Sequence, residues 1–212
     1  MSSPAPKVDQ RVVRGRATRE QILDATAEVL RAEGGAGATT RAVADAAGVR
    51  LSLVHYHFGG KGGLLAELLA RENGRLLGRQ EALYAGPEPL AEKWRTACAY
   101  LREDLRSGYV RVLWELWAAG LADEELARRW RDAMGGWRAL LEQVIERWVA
   151  EKGLELPLSP RALTTLVANA FQGAEIEILA GVSEEDSPHL EALEAVADLI
   201  EWYERRGTAH VS

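Results

Sequence analysis

Between residues 39 and 61 the chain concentrates side chains that can bond to a polyanion: Thr39, Thr40, Arg41, Arg50, Ser52, His55, Tyr56 and Lys61. Arg and Lys neutralise phosphates, and hydroxyls and imidazoles bond phosphate oxygens or base edges. Arg can also take guanine O6 and N7 with two bonds, and an aliphatic side chain such as Leu51 or Leu53 can meet a thymine methyl. The chemistry these residues offer is recognition of a nucleic-acid duplex.

To act together they must share one outward surface, and the intervening residues supply the means. Thr39 or Thr40 can cap a short helix by accepting a backbone N–H bond. Val43, Ala44 and Ala47 then recur at helical spacing, and Gly48 is the residue type that ends a helix at positive φ. Val49 can plug the angle before the helical pattern restarts over Leu51–Phe58. Two short helices crossing through a tight glycine turn form a helix-turn-helix, which holds its second helix out for a major groove.

Each residue has a plainer reading as well. Arg50 can read guanine or hold a phosphate. Ser52 can bond a base or cap its helix. Leu53 can meet a thymine methyl or fill the core. Thr39 can cap, or join Thr40 and Arg41 on the opposite phosphate strand. Tyr56 can reach a phosphate through its hydroxyl, His57 packs toward the flanking helices, and Phe58 is core. Lys61 begins another helix, where free N–H groups and the helix dipole attract anions. His55 and His57 are no metal pair, because residues two apart on a helix point away from one another.

Net charge is −6, which by itself argues against a nucleic-acid partner, but its distribution reverses that. Residues 1–61 carry nine Lys and Arg against six Asp and Glu, while residues 62–212 carry 17 against 26. A basic head on an acidic body suits contact with DNA at one end. Residues 1–16, rich in Ser, Pro and Arg, read as a mobile basic arm in which Arg14 and Arg16 can follow phosphates or enter a minor groove. The lone cysteine, Cys98, allows no disulfide framework and fits a reducing cytoplasm. No apolar run is long enough to span a membrane, and residues 1–10 lack the apolar core of a signal peptide.

The remainder reads as helices, about nine in all, with no strand. A first helix is expected over Thr18–Glu33, with Ile22, Thr26, Val29 and Leu30 on one face and Gly34, Gly35 and Gly37 ending it. After the head at residues 17–62, a connector of about 18 residues starts near Lys61. Further helices are expected over Leu90–Ser107, Tyr109–Ala119, Asp123–Glu151, Arg161–Ala180 and His189–Arg206. The fold class is all-α: an N-terminal helix-turn-helix domain and a larger helical domain over residues 63–212.

That larger domain holds two further patterns. The last two long helices pair apolar stripes with small residues, such as Ala170, Gly173, Ala192 and Ala195, which suit a four-helix bundle between two copies or a monomer core. Six of the seven Trp lie between residues 94 and 148. Trp94, Tyr100, Trp114, Trp117, Trp137 and Phe171 can wall a cavity for a hydrophobic or aromatic effector, or pack as core. Glu115 and Glu175 interrupt apolar helices, and a carboxylate beside aromatic rings favours a cationic ligand. No nucleophile–base set, metal-binding helix or phosphate loop is visible, so no enzyme is expected.

The head resembles the TetR family of transcriptional regulators. Ala17–Val29 and Thr39–Leu64 carry the likeness, through Ala47-Gly48-Val49, Tyr56-His57-Phe58, Lys61 and Leu64, over about 50 of 212 residues. Arg50, Ser52 and His55 depart from the residues common at those positions, which leaves base preference open. The resemblance implies a homodimeric repressor on a pseudo-palindromic double-stranded DNA operator. It also implies release by a small-molecule effector, with the connector helix carrying the displacement and no cofactor taking part. Alternatives are a DNA-binding protein without an effector, and a helical enzyme with a DNA-binding-like head.

Overall fold

The computed structural model describes residues 10–207, and side-chain placement within them from Val13 to Arg205. Nine helices and no strand occur among the described residues: α1 (Gln10–Gly37), α2 (Thr40–Ala46), α3 (Leu51–Phe58), α4 (Lys61–Ala85), α5 (Leu90–Arg106), α6 (Tyr109–Gly120), α7 (Glu124–Lys152), α8 (Pro160–Leu179) and α9 (His189–Gly207).

Two boundaries differ from the sequence reading. Helix α1 begins at Gln10, so residues 10–16 of the expected mobile arm are helical, with Arg14 and Arg16 exposed on it. Gln and Arg are good helix formers, and adding turns to an existing helix avoids the cost of a new nucleus, which offsets the weaker propensity of Val12, Val13 and Gly15. The rest of the expected arm, residues 1–9, lies outside the described residues. Helix α4 has 25 residues, longer than the connector expected, because it continues through Gly74 and Gly78. Burial of Gln80 and Tyr84 beyond those glycines outweighs their propensity cost of about 1 kcal/mol each.

Cap residues set the other boundaries. The Asp123 carboxylate accepts from Leu126 N at 3.0 Å, and the Ser159 hydroxyl accepts from Ala162 N at 3.2 Å. Pro160 then occupies the first turn of α8, where its missing N–H costs nothing.

The apolar residues gather in two cores. The first joins Ile22, Leu23 and Leu30 of α1, Val43 of α2, Val54 and Phe58 of α3, and Leu64 and Leu68 of α4. It continues into the body through Val112 and Leu116 of α6 and Leu126 of α7. The head is therefore no detached module, and the first turns of α4 are part of it. Thr26, fully buried in this core, satisfies its hydroxyl by donating to Ile22 O at 2.7 Å. The second core packs α5 against α9, with Trp94, Cys98, Leu101, Trp148, Phe171, Leu193 and Ile200 among its members. Arg71 ties α4 to α1 by donating to Asp24 at 2.7 Å, while pairing with buried Glu72 at 2.7 Å. No helix among the described residues is long and apolar enough to cross a membrane.

Candidate DNA-reading face and ligand cavity

The turn between α2 and α3 is built by backbone bonding. Gly48 takes φ 63, which brings Val49 N to Ala44 O at 2.9 Å and Ala47 N to Val43 O at 2.8 Å, closing the end of α2. Thr39 is the cap: its hydroxyl accepts from Ala42 N at 3.1 Å. Thr40 opens α2, and Arg41 beside it is exposed.

Helix α3 turns Val54 and Phe58 inward and Leu51, Ser52, Leu53, His55 and Tyr56 outward. Tyr56 is 81% exposed, and Leu53, at 36%, stands outside the core. Arg50 precedes the helix in extended conformation with no side-chain cap, and Ser52 lies within the first turn, so neither caps α3. The sequence-selected residues Arg50, Leu51, Ser52, Leu53, His55 and Tyr56 thus form one outward surface. His57 is half-buried, its ring edge-on to Tyr56 at 5.0 Å between centroids.

Helix α1 clamps this surface in place. Gln21 Nε2 donates to Ala47 O at 2.7 Å, and Arg19 Nη1 donates to His57 O at 3.2 Å. The Arg19 guanidinium also lies 4.9 Å above the Phe58 ring and pairs with Glu67 of α4. Past α3 the chain reverses through Gly59 and Gly60, at φ 74 and 146. Lys61 sits at the start of α4 as expected, yet its ammonium donates to Gly35 O at 2.8 Å, joining α4 to the end of α1.

In the body, six of the eight residues selected for a cavity come together: Trp94, Tyr100, Trp114, Trp137, Phe171 and Glu175. Trp114 Nε1 donates to Glu175 Oε2 at 3.0 Å. Burial pushes the Glu175 carboxyl up to about 7, the Trp114 N–H opposing this by favouring the anion. Arg79 Nη1 donates to Asp104 Oδ1 at 3.0 Å, and its guanidinium lies 4.4 Å over the Tyr100 ring. Tyr109 bonds out of the cavity, its hydroxyl donating to Glu72 O at 3.0 Å.

Two selected residues lie elsewhere. Successive residues on a helix point about 100° apart, so Glu115 turns away from the cavity that Trp114 faces. Its carboxylate accepts from Gly35 N at 2.7 Å, at the junction with the head. Trp117 is 39% exposed and rests edge-on against Trp114 at 5.4 Å, outside the cavity lining. Sequence reasoning missed Arg79, Asp104 and Gln80, which also line the cavity. They come from two helices with no shared motif, and the signal available was a charged or amide group on the inner face of α4 or α5. No group of three His, Cys, Asp or Glu that could hold a metal ion occurs among the described residues.

Residues 22–68 match the family model described as bacterial regulatory proteins, tetR family. A search of curated protein sequences found no match. Solved structures share the fold over most of the chain. A TetR-family transcriptional regulator from Agrobacterium tumefaciens superposes with TM-score 0.74 at 18% identity, covering 89% of this chain and 98% of that one. The transcriptional regulator FadR from Bacillus subtilis, in complex with stearoyl-CoA, gives TM-score 0.71 at 17% identity, covering 85% and 96%. A TetR transcription regulator from Haloarcula marismortui gives TM-score 0.72 at 21% identity, covering 87% and 96%. Residues 22–68 thus match the tetR-family model, and the nine described helices share the fold of these regulators.

Proposed function

We propose that this chain is a dimeric, ligand-responsive repressor that reads a pseudo-palindromic operator with α3. The observation that carries the reading is α6 itself. One of its residues, Trp114, bonds inside the cavity, and the next, Glu115, bonds the head. A ligand favouring a different spacing of α6 against α8 shifts the head by its differential affinity for the two shapes, and equal affinity shifts nothing. A coupling of about 1–3 kcal/mol changes operator affinity roughly 5- to 150-fold.

A single α3 offers too few phosphate contacts for tight binding, so two copies are required. The outer faces of α8 and α9 support this: Leu166, Ile176, Leu199 and Trp202 are each at least 40% exposed on them. Pairing those faces across a two-fold axis gives a four-helix bundle. The two heads then read half-sites about 34–36 Å apart, or a multiple of that spacing. The effector is small, hydrophobic or aromatic, and cationic at one end. FadR from Bacillus subtilis, which shares this fold, is solved in complex with stearoyl-CoA, a molecule with one long apolar chain.

Titration of purified protein against DNA flanking its own gene at low salt tests the reading. The expected result is saturable binding to a palindromic site. Arg50→Ala then relaxes preference at one base pair at a cost of about 1–3 kcal/mol if Arg50 reads guanine, and weakens all sequences alike if it clamps phosphate. Absence of any palindrome-dependent binding overturns the reading. Binding that no compound in a broad panel weakens leaves a DNA-binding protein without an effector.

A further inference from the structure

Beside the cavity at Glu175 lies a second, largely apolar compartment, partly open to solvent, formed by α5, α7, α8 and α9 with Tyr84 of α4. Its volume is about 240 Å³, and Ile145, Trp148, Leu163, Val167 and Ile200 are among its walls. A cavity of about 150 Å³ lined by aliphatic and aromatic groups stays dry and takes up benzene, so this one has room for a substantial apolar group. Its polar wall atoms are few and largely spoken for. Trp94 Nε1 donates to Leu193 O at 2.6 Å, and Trp148 Nε1 donates to Glu204 at 2.9 Å. The compartment has almost nothing to offer a polar ligand.

The two spaces share Tyr84, Trp94 and Leu141 as a common wall. On the near side of that wall the charges are unbalanced. Arg79 and Asp104 neutralise one another, whereas Glu175 has an indole N–H as its bonded partner and forms no ion pair among the described residues. A buried carboxylate without a cation is costly, and a ligand that brings the cation recovers that cost. Trp114, Trp137 and Phe171 line the same cavity, and the face of an aromatic ring also accommodates a cation.

We infer that the ligand site is bipartite and takes an amphipathic amine: an ammonium or N–H head at Glu175 and an apolar limb passing Trp94 into the α7–α9 compartment. This rests on the regulator reading above but goes further, because it assigns the second compartment to the ligand and excludes anionic amphiphiles. Leu166 and Ile176, on the outer face of α8, line neither space, whereas Leu199 of α9 lines the second.

Decylamine, decanoate and hexylamine, each below its micelle concentration, are titrated into the full-length protein with tryptophan fluorescence as readout. Decylamine is expected to bind about tenfold or more tighter than decanoate, through Glu175, and about tenfold or more tighter than hexylamine, through buried methylenes. Leu163→Trp, which fills the compartment, is expected to erase the chain-length difference and leave hexylamine binding within about twofold. Glu175→Gln is expected to erase the preference for amine over carboxylate. Decanoate binding as tightly as decylamine, hexylamine binding as tightly as decylamine, or no saturable binding by any of the three overturns the inference. The wild-type series decides even if a variant fails to fold. Operator binding is measured in parallel. Release by decanoate but not decylamine keeps the regulator reading and overturns the bipartite amine site. Amine binding without any operator binding keeps the site and overturns the regulator reading.

Discussion

Trp114 and Glu115 are consecutive on α6, yet their side chains end in different halves of the molecule. The Trp114 indole donates to Glu175 at 3.0 Å inside the cavity, and the Glu115 carboxylate accepts from Gly35 N at 2.7 Å at the base of the head. Gly34 next to it has φ 70, and a side chain there meets Glu115 Oε1 at 3.1 Å, so glycine lets α6 approach the end of α1 closely. Lys61 adds a second strut by donating to Gly35 O. Rotation or translation of α6 is therefore felt at Gly35 without any long chain of intermediates.

Glu115→Ala breaks one link of that pair. A hydrogen bond to a charged group contributes about 1.5–3 kcal/mol, and partial exposure of Glu115 places the loss toward the low end. The melting temperature is expected to fall by a few degrees, about 2–4 °C per kcal/mol for a chain of this size. The diagnostic effect lies elsewhere. Ligand affinity in the variant stays near wild type, while the ligand-induced drop in operator affinity shrinks. Fluorescence titration of ligand set against DNA titration with and without ligand separates the two, and an undiminished drop removes Glu115 from the coupling.

Glu175 gives stability a pH dependence of unusual sign for a carboxylate. Its folded value is raised from 4.5 to about 7, so the folded state holds the proton more tightly than the unfolded state. Below the lower value both states are protonated, and the group has no effect. Between the two values the unfolded chain releases its proton first, and stability falls as pH rises. Above about 7 the loss is complete, on the order of 1–3 kcal/mol. Thermal melts at pH 5 and pH 8 are expected to show Glu175→Gln relatively more stable at the higher pH, with the difference absent or reversed at the lower. Parallel curves for the two proteins across this range exclude a strained carboxyl at this position.

Gly63 is a packing requirement rather than a turn residue. It sits in the first turn of α4, where an added Cβ meets Phe58 O at 2.0 Å. That neighbour is backbone, fixed by α3 on one side and by the Gly59–Gly60 reversal on the other. Gly63→Ala must push α4 away from α3, and a destabilisation of more than about 2 kcal/mol is expected, in the class of overpacked cores. Operator binding should be lost with it. Gly62→Ala, whose Cβ meets only Asp123 Oδ2 at 3.1 Å, serves as the control and is expected to retain most of both properties. Equal behaviour of the two variants contradicts this account.

The sequence announced the head more fully than the body, for a physical reason. The helix-turn-helix is local: Thr39, Gly48 and Val49 determine the turn within ten residues, and outward and inward positions follow from periodicity alone. The cavity is assembled from α4, α5, α6, α7 and α8, so aromatic content marked its existence but not its membership. Glu115 and Trp117 looked equivalent to Trp114 in sequence, and helix rotation assigned one to the head and one to the surface. The apolar compartment was invisible in advance, because Ile145, Leu163 and Ile200 are the residues any helical core uses. At the N-terminus, composition suggested an arm where α1 extends back to Gln10, since charged residues with good helix propensity do not distinguish an exposed helical turn from coil.

The outer face of α8 and α9 permits a test of the proposed dimer that leaves the rest of the fold alone. Leu166 is 58% exposed and Ile176 is 46% exposed, so neither contributes much to the core of one chain. Leu166→Glu with Ile176→Glu should therefore leave the monomer's melting cooperative. Across a two-fold axis the same carboxylates face like charges in an apolar seam, which costs several kcal/mol in association. Sedimentation is expected to show a monomer where the parent chain is a dimer. Operator affinity then falls by orders of magnitude, because one head alone makes half the phosphate contacts and loses the second half-site. The dimer seam lies elsewhere if the doubly substituted protein still sediments as a dimer with unchanged operator affinity.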